Sequence, residues 1–265
     1  MTISASVTFI GNATTLLRLG NFTLLTDPAF GAAGSRVHLG YGAFTRRLRD
    51  PARGWDDLPR PDAILLSHFH GDHFDRAASR VLPRDLPVIT TPQARRALRR
   101  RKFGEVLALP TWDTHEWSSA DQRLRVTAVP ARHGPGPIDM LLPETMGSVL
   151  ELEVGGRLAL RLYVTGDTLY GPHLAEIPRR CGEIDAMLIH LGGTRLLGLL
   201  LTMDGRQGAA TTGLIRPRMT VPIHYDDYKV MKSPLDDYLR RARDQGLTGI
   251  EPVSRGATTA LPLRP

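Results

Sequence analysis

Cysteine is nearly absent: Cys181 stands alone in 265 residues. One thiol can build neither a disulfide framework nor a cysteine-rich zinc module. Its neighbours Arg180 and Gly182 give no sign of activation, so it reads as inert. Lysine is almost as scarce. Lys102, Lys229 and Lys232 are the three lysines among 34 basic residues, which leaves 31 arginines (34 − 3). Long apolar runs are missing too; none approaches the ~20 residues of a membrane-spanning helix. The opening Met1-Thr2-Ile3-Ser4-Ala5-Ser6 lacks a basic stretch followed by an apolar core, so no secretory signal is read and a cytoplasmic location is expected. What is present is a folding composition, 42% hydrophobic and 23% charged, with enough chain for a sizeable core. Its 26 Gly and 20 Pro are spread throughout rather than pooled into a linker, so residues 1–265 are expected to form one domain.

The net charge of +7 raises the question of nucleic acid, since basic surfaces release counterions from phosphate backbones. The densest cluster, Arg95, Arg96, Arg99, Arg100, Arg101 and Lys102, falls in a helical stretch and reads as a solvated helix face. Charge alone decides nothing.

The start reads as β-structure: Val7–Ile10, Leu16–Leu19 and Phe22–Leu25 are short apolar runs, with turns at Gly11-Asn12 and Gly20-Asn21. Pro28 to Pro61 is a long stretch weak in periodicity, a length uncommon in loops that neither cover a site nor contact a partner. Strands and helices then alternate. Strands are expected at 62–67, 87–90, 106–109, 124–129, 148–154, 157–165 and 184–189, the pair about Gly155-Gly156 forming a hairpin. Helices are expected from Asp75 to Val81, Pro92 to Lys102, Asp204 to Ile215 and Pro234 to Asp244, the last with Ser233 as N-cap and Pro234 at its first position. One echo is visible. Asp62-Ala-Ile-Leu-Leu-Ser-His68 resembles Asp185-Ala-Met-Leu-Ile-His190, which fits two similar halves presenting ligands at the ends of strands.

The chemistry concentrates in Ser67-His68-Phe69-His70-Gly71-Asp72-His73. Three imidazoles and a carboxylate follow a buried strand directly, and such ligands suit zinc and other divalent first-row metals. His68 and His70, two apart on an extended segment, share a face and can address one ion. A turn at Gly71 lets Asp72 and His73 face a neighbouring position. Chance produces this pattern in a chain of this composition about once in 1,000.

His68-x-His70-x-Asp72-His73 resembles the signature of the metallo-β-lactamase-fold hydrolases, and the resemblance extends over nearly the whole chain. His133 (in Pro130-Ala-Arg-His-Gly134), Asp167 (in Val164-Thr-Gly-Asp-Thr168) and His224 (in Val221-Pro-Ile-His-Tyr225) stand where that family places its remaining ligands, each after an apolar strand. Phe9-Ile-Gly-Asn-Ala-Thr14 and Leu25-Thr-Asp-Pro28 resemble the branch containing ascorbate-6-phosphate lactonase and the N-acylphosphatidylethanolamine-hydrolysing phospholipase D. The arginine-rich insertion after Pro28 is more similar to the phospholipase than to the β-lactamases.

The resemblance implies an α/β fold of the αββα kind: a four-layer sandwich with two mixed β-sheets flanked by helices. It implies two divalent metal ions, zinc first and manganese or iron as alternatives. His68, His70 and His133 would hold one and Asp72, His73 and His224 the other, with Asp167 bridging. Asp72 and Asp167 are then the catalytic carboxylates of a binuclear hydrolase in which metal-bound hydroxide attacks an ester-type bond, a lactone or a phosphodiester. Asp27 is placed behind the ligands, accepting a hydrogen bond from one imidazole. Asn12, where the branch usually carries His, is read with His190 and Tyr225 as a substrate contact. Asp at position 167, rather than the Cys of some β-lactamases, argues against antibiotic hydrolysis.

Blander readings stand for the rest. His38, His115 and His173 match no ligand position. Leu196–Met203 reads as core or a dimer contact, with an apolar wall for a greasy substrate group as the sharper alternative. Tyr225, Asp226 and Tyr228 either shape the pocket or form a solvated loop. The expected partner is a small-molecule substrate, with nucleic acid not expected and a homo-oligomer left open. Rival functions are a nuclease or RNA-processing enzyme on the same fold, iron-based redox chemistry, and a non-catalytic binding protein.

Overall fold

The computed structural model describes residues 3–40, 42, 44–196 and 198–265. Met1 and Thr2 of the amino-terminal reading, Tyr41 and Ala43 of the Pro28–Pro61 stretch, and Leu197 of the apolar stretch lie outside the described residues.

The amino-terminal half supplies β1 (Ala5–Gly11), β2 (Thr14–Leu19), β3 (Phe22–Thr26), a small hairpin of β4 (Arg36–His38) and β5 (Phe44–Arg46), then β6 (Ala63–Leu65), α1 (Arg76–Val81), β7 (Val88–Thr90), α2 (Pro92–Arg100) and β8 (Val106–Ala108). The second half supplies β9 (Thr114–Ser119), β10 (Gln122–Pro130), β11 (Met146–Val154), β12 (Arg157–Val164), α3 (Glu176–Cys181), β13 (Ala186–His190), a two-residue hairpin of β14 (Arg195–Leu196) and β15 (Leu199–Leu200), α4 (Gly205–Ile215), β16 (Met219–Ile223), α5 (Leu235–Asp244) and β17 (Thr258–Ala260). One sheet runs β17-β1-β2-β3-β6-β7-β8 and the other β16-β13-β12-β11-β10-β9. Both mix antiparallel hairpins with parallel pairs, β3·β6 and β6·β7 in the first, β12·β13 and β13·β16 in the second.

Strand alternation builds the layers. Val7, Phe9, Leu17 and Leu24 of the first sheet meet Leu124, Val126, Leu162 and Leu188 of the second in one shared core. The residues between them point outward: Ile10, Leu16 and Ile64 pack on Ala78, Ala94 and Leu98 of α1 and α2, and Tyr163, Met187 and Ile189 on Ile177, Ala209 and Tyr238 of α3, α4 and α5. Period-2 apolarity on both faces of a strand requires cover on both sides, which is the expected αββα sandwich. Leu162 has no exposed surface at the centre of the shared core. Leu162→Ala should therefore cost about 2 to 5 kcal/mol in urea denaturation.

The echo marks equivalent places, since β6 leads to His68 and β13 ends on His190, each an interior strand with parallel neighbours on both sides. Other expectations need correction. The Pro28–Pro61 stretch contains the β4–β5 hairpin and a 3-10 turn at Trp55–Asp57. The last helix starts at Leu235 with Pro234 as its cap residue. Ser233 is not the cap, because its hydroxyl instead accepts from Gly205 N (2.9 Å) and donates to Asp237. Tyr228 is 1% exposed rather than solvated. Leu196–Met203 divides: Leu201 and Met203 are buried, while Leu199 is exposed.

Candidate metal centre

All seven expected ligand residues converge where strand ends of both sheets meet. The ring nitrogens of His68, His70 and His133 form one cluster, and Asp72, His73, Asp167 and His224 a second; within each, the donor atoms lie within 4.8 Å of one another. His70 Nδ1 is 2.9 Å from His68 Nε2 and 3.2 Å from His133 Nε2, and His73 Nε2 is 3.2 Å from His224 Nε2. Asp167 lies between the clusters, its Oδ2 3.2 Å from His73 Nε2 and 4.0 Å from His68 Nε2, its Oδ1 3.6 Å from His224 Nε2.

Local backbone explains the convergence. After β6 the chain turns at Gly71, whose N–H donates to His38 O (3.1 Å) and where a Cβ would press on that same carbonyl. Gly166, at φ +61°, brings Asp167 in beneath the Met146 carbonyl, leaving no room for a side chain. Three non-glycine residues of the site also adopt left-handed backbone, Asn12 (φ 53°), Asp27 (φ 37°) and His224 (φ 62°). Such conformations cost of order 1–3 kcal/mol each and persist where surrounding structure over-determines them.

Outer partners orient four of the five ligand rings. His133 Nδ1–H donates to Leu201 O (3.1 Å) and His224 Nδ1–H to Leu191 O (3.2 Å). His73 Nδ1–H faces Asp27 Oδ2 at 3.0 Å. Ser67 Oγ donates to Asp27 Oδ2 (2.9 Å) and so accepts from His68 Nδ1–H (3.0 Å). Four Nε2 atoms are thereby turned inward, the arrangement a cation requires. His70 Nδ1 faces the Nε2 atoms of His68 and His133, so three ring nitrogens converge on one point. His70 Nε2, Asp72 Oδ1 and Asp167 Oδ1 are buried without a hydrogen-bond partner among the described residues. The donor set therefore fits divalent cations of the zinc, manganese and iron class, with no thiolate to favour softer ions.

Electrostatics differ between the clusters. Burial, with the charge of His73, pushes His68 well below the usual imidazole range. Burial and then His133 bring His70 down to about 3, and burial lowers His133. In the second cluster burial is outweighed: Asp167, Asp72 and Asp27 raise His73 well above its ordinary value, and Asp167 with Asp72 raises His224. Burial would raise the carboxyls, yet His73 and His224 hold Asp72 at about 2. The same two rings, His224 first, keep Asp167 well below the carboxylate range. Protons and cations compete for one nitrogen, and rings with raised pKa surrender it less readily. Equilibrium dialysis from pH 7 towards pH 5 should thus empty the His73/His224 cluster first, metal analysis passing through about one ion per chain. Simultaneous loss from both clusters would contradict this.

The residues read as substrate contacts are placed differently. Asn12 has no exposed surface. Its Nδ2 donates to Asp72 O (2.8 Å), its carbonyl accepts from His224 N (3.0 Å), and its own N–H donates to Asp227 Oδ2 (2.7 Å). It clasps two members of the second cluster from behind. His190 is equally buried, stacked 6.0 Å from the His73 ring with Nε2 3.6 Å from Asp27 Oδ2. Tyr225 is half-buried, its ring 6.1 Å from that of Phe9. His38, His115 and His173 stay outside both clusters. Removing a hydrogen bond behind a ligand typically costs 10–100-fold in metal affinity, so Asn12→Ala should weaken the ion of the His73/His224 cluster by about that factor in chelator competition.

Sequence reasoning missed Ser67, the carbonyls of Leu191 and Leu201, and Asp227. Ser67 sits beside the motif and was within reach; the carbonyls carry no side-chain signal, and Asp227 acts across 215 positions of chain.

Residues 23–225 match the family model of the β-lactamase superfamily domain. A UPF0173 metal-dependent hydrolase of Anaeromyxobacter sp. (strain K) is 30% identical over 179 residues, 65% of this chain and 62% of that protein, so the match spans less than two thirds of that relative's length. A protein of the same description from Archaeoglobus fulgidus is 24% identical over 249 residues, 91% of this chain and 92% of its own. Among solved structures, isothiocyanate hydrolase from Delia radicum gut bacteria aligns with a TM-score of 0.81 at 20% identity, covering 97% of this chain and 99% of that one. At that identity the likeness concerns the fold.

Proposed function

The chain belongs to the β-lactamase superfamily, and from that premise we propose that it is a binuclear metal-dependent hydrolase cleaving an ester-type bond, a lactone or a phosphodiester. The supporting observation is the pair of buried donor clusters with one carboxylate, Asp167, reaching both. When bound, two cations supply an acidified water and electrophilic pull on the scissile group.

The protein's own residues do the rest. His68, His70 and His133 stay neutral and offer ring nitrogens to one cation, while Asp72, His73 and His224 would hold the other once the two rings give up their protons. Asp27 fixes two of these rings, His73 directly and His68 through Ser67. Asp72 faces His224 through Oδ2 at 3.4 Å, which leaves Oδ1 without a partner among the described residues. That free oxygen is the atom we assign to orient the attacking water by accepting its hydrogen bond. Burial of the whole set excludes bulk water and strengthens each of these interactions.

A panel of chromogenic lactones, phosphodiesters and carboxylic esters, run with added zinc or manganese, tests the reading. Turnover that needs added metal and vanishes in the His68→Ala/Asp167→Ala double variant supports it. Metal content and turnover both intact in that variant would refute it.

A further inference from the structure

Beside the β4–β5 hairpin lies a second feature that the metal centre does not use, a cavity of about 520 Å³. Its walls carry Arg36, Arg46, Arg195, Lys229 and Lys232, with Phe44 between them. No carboxylate lines it among the described residues. Two of the protein's three lysines are here.

These cations differ from the paired arginines on the second sheet. Arg123, Arg125 and Arg161 lie across strands from Glu116, Glu151 and Glu153 and are neutralised there. None of the five cavity cations is in an ion pair among the described residues. Three of them are steered by neutral partners instead. The Arg36 guanidinium lies over the Phe44 ring at 5.0 Å. Arg195 donates to Gly198 O (3.1 Å) and Lys232 Nζ to Lys229 O (2.8 Å). A π face or a carbonyl orients a cation without cancelling its charge, so the cavity concentrates one sign of potential.

The chain ties this cavity to the metal centre. Lys229 and Lys232 follow His224 by five and eight residues, and Arg195 follows His190 by five. Lys229 N donates to Arg46 O (3.2 Å), joining the segment after His224 to the hairpin. On that hairpin, the Cβ position of Gly40 is 3.7 Å from His70 Nε2. One short hairpin thus borders both the candidate ligands and the cationic walls.

We propose that this basin binds an anionic group of the substrate, a phosphate or carboxylate separate from the bond that is cleaved. The inference rests on the hydrolase reading for the word substrate and narrows it to anionic molecules. Arginine forks and lysine ammonium groups both bind such oxyanions, the former in paired hydrogen bonds.

The test uses the metal-loaded protein and an Arg46→Glu/Lys229→Glu/Lys232→Glu variant, with an Arg46→Gln/Lys229→Gln/Lys232→Gln variant in case charge reversal disturbs folding. Calorimetric titration with inorganic phosphate at low salt should show binding at least tenfold weaker in either variant, with metal content unchanged. For an ester carrying a remote phosphate, KM should rise at least tenfold with kcat unchanged, while a neutral ester keeps both constants. A matched ester with a remote carboxylate shows which anion the basin prefers. Equal phosphate affinity in all three proteins, or charged and neutral esters responding alike, would overturn the proposal. If no ester is turned over, the hydrolase reading fails, and the phosphate titration still decides whether the basin binds anions.

Discussion

Replacing Asp167 by Asn is expected to lower kcat/KM about a thousandfold, roughly 4 kcal/mol of transition-state stabilisation, and to leave about one tightly held ion per chain. Asparagine keeps the size and most of the packing of the aspartate, so the change isolates charge. Two divalent ions ~4 Å apart repel by roughly 16 kcal/mol at an effective dielectric of 20, and a shared carboxylate is what makes both sites tenable together. Asp167 is placed for that role, its Oδ2 3.2 Å from His73 Nε2 and 4.0 Å from His68 Nε2. Its loss should also let the pKa of His73 and His224 fall, since Asp167 leads the charges that raise both. Metal analysis after dialysis, beside steady-state kinetics, reads both effects. Full metal content with unimpaired turnover would mean that Asp167 bridges nothing.

Arg47→Met should destabilise the protein by about 3 kcal/mol, the lower end for breaking a buried ion pair. For a chain of this size that is a fall of roughly 6–12 °C in Tm. Arg47 and Asp227 have no exposed side-chain surface and lie 3.2 Å apart. Arg47 also donates to Ala29 O (2.8 Å) and Gly31 O (3.0 Å), fastening the segment after β3 to the loop after His224. The low end applies because Arg255 still donates two hydrogen bonds to Asp227, at 2.8 and 3.0 Å. Asp227 in turn accepts from Asn12 N, and Asn12 holds Asp72 and His224. A stability defect accompanied by weaker metal retention is therefore expected. Thermal unfolding of metal-free and metal-loaded protein checks it, and an unchanged Tm would show that the pair contributes no net stability.

The candidate ligands were legible because four of them lie in one stretch, His68–His73, and the others end apolar strands whose spacing a known family shares. The sandwich was legible in strands apolar on both faces. Strand β9 was not, because Thr114–Ser119 is an edge strand whose polar residues alternate without an apolar run to mark it. The β4–β5 hairpin was hidden for a similar reason, with a single buried residue in each three-residue strand. The bonds of Asn12 were not legible because its partners, Asp72 O and His224 N, are backbone groups 60 and 212 positions away. The five cations of the basin are scattered from 36 to 232, whereas the conspicuous run Arg95–Lys102 lies exposed along and just beyond α2, as a solvated face should. Linear clustering overstated one charge patch and concealed the other.

The most direct test of the account is anomalous diffraction from crystals grown with zinc. Two peaks ~3.5–4 Å apart are expected, one bounded by His68, His70 and His133, the other by Asp72, His73 and His224, with Asp167 touching both. A single peak, none at all, or zinc held away from these residues would contradict it.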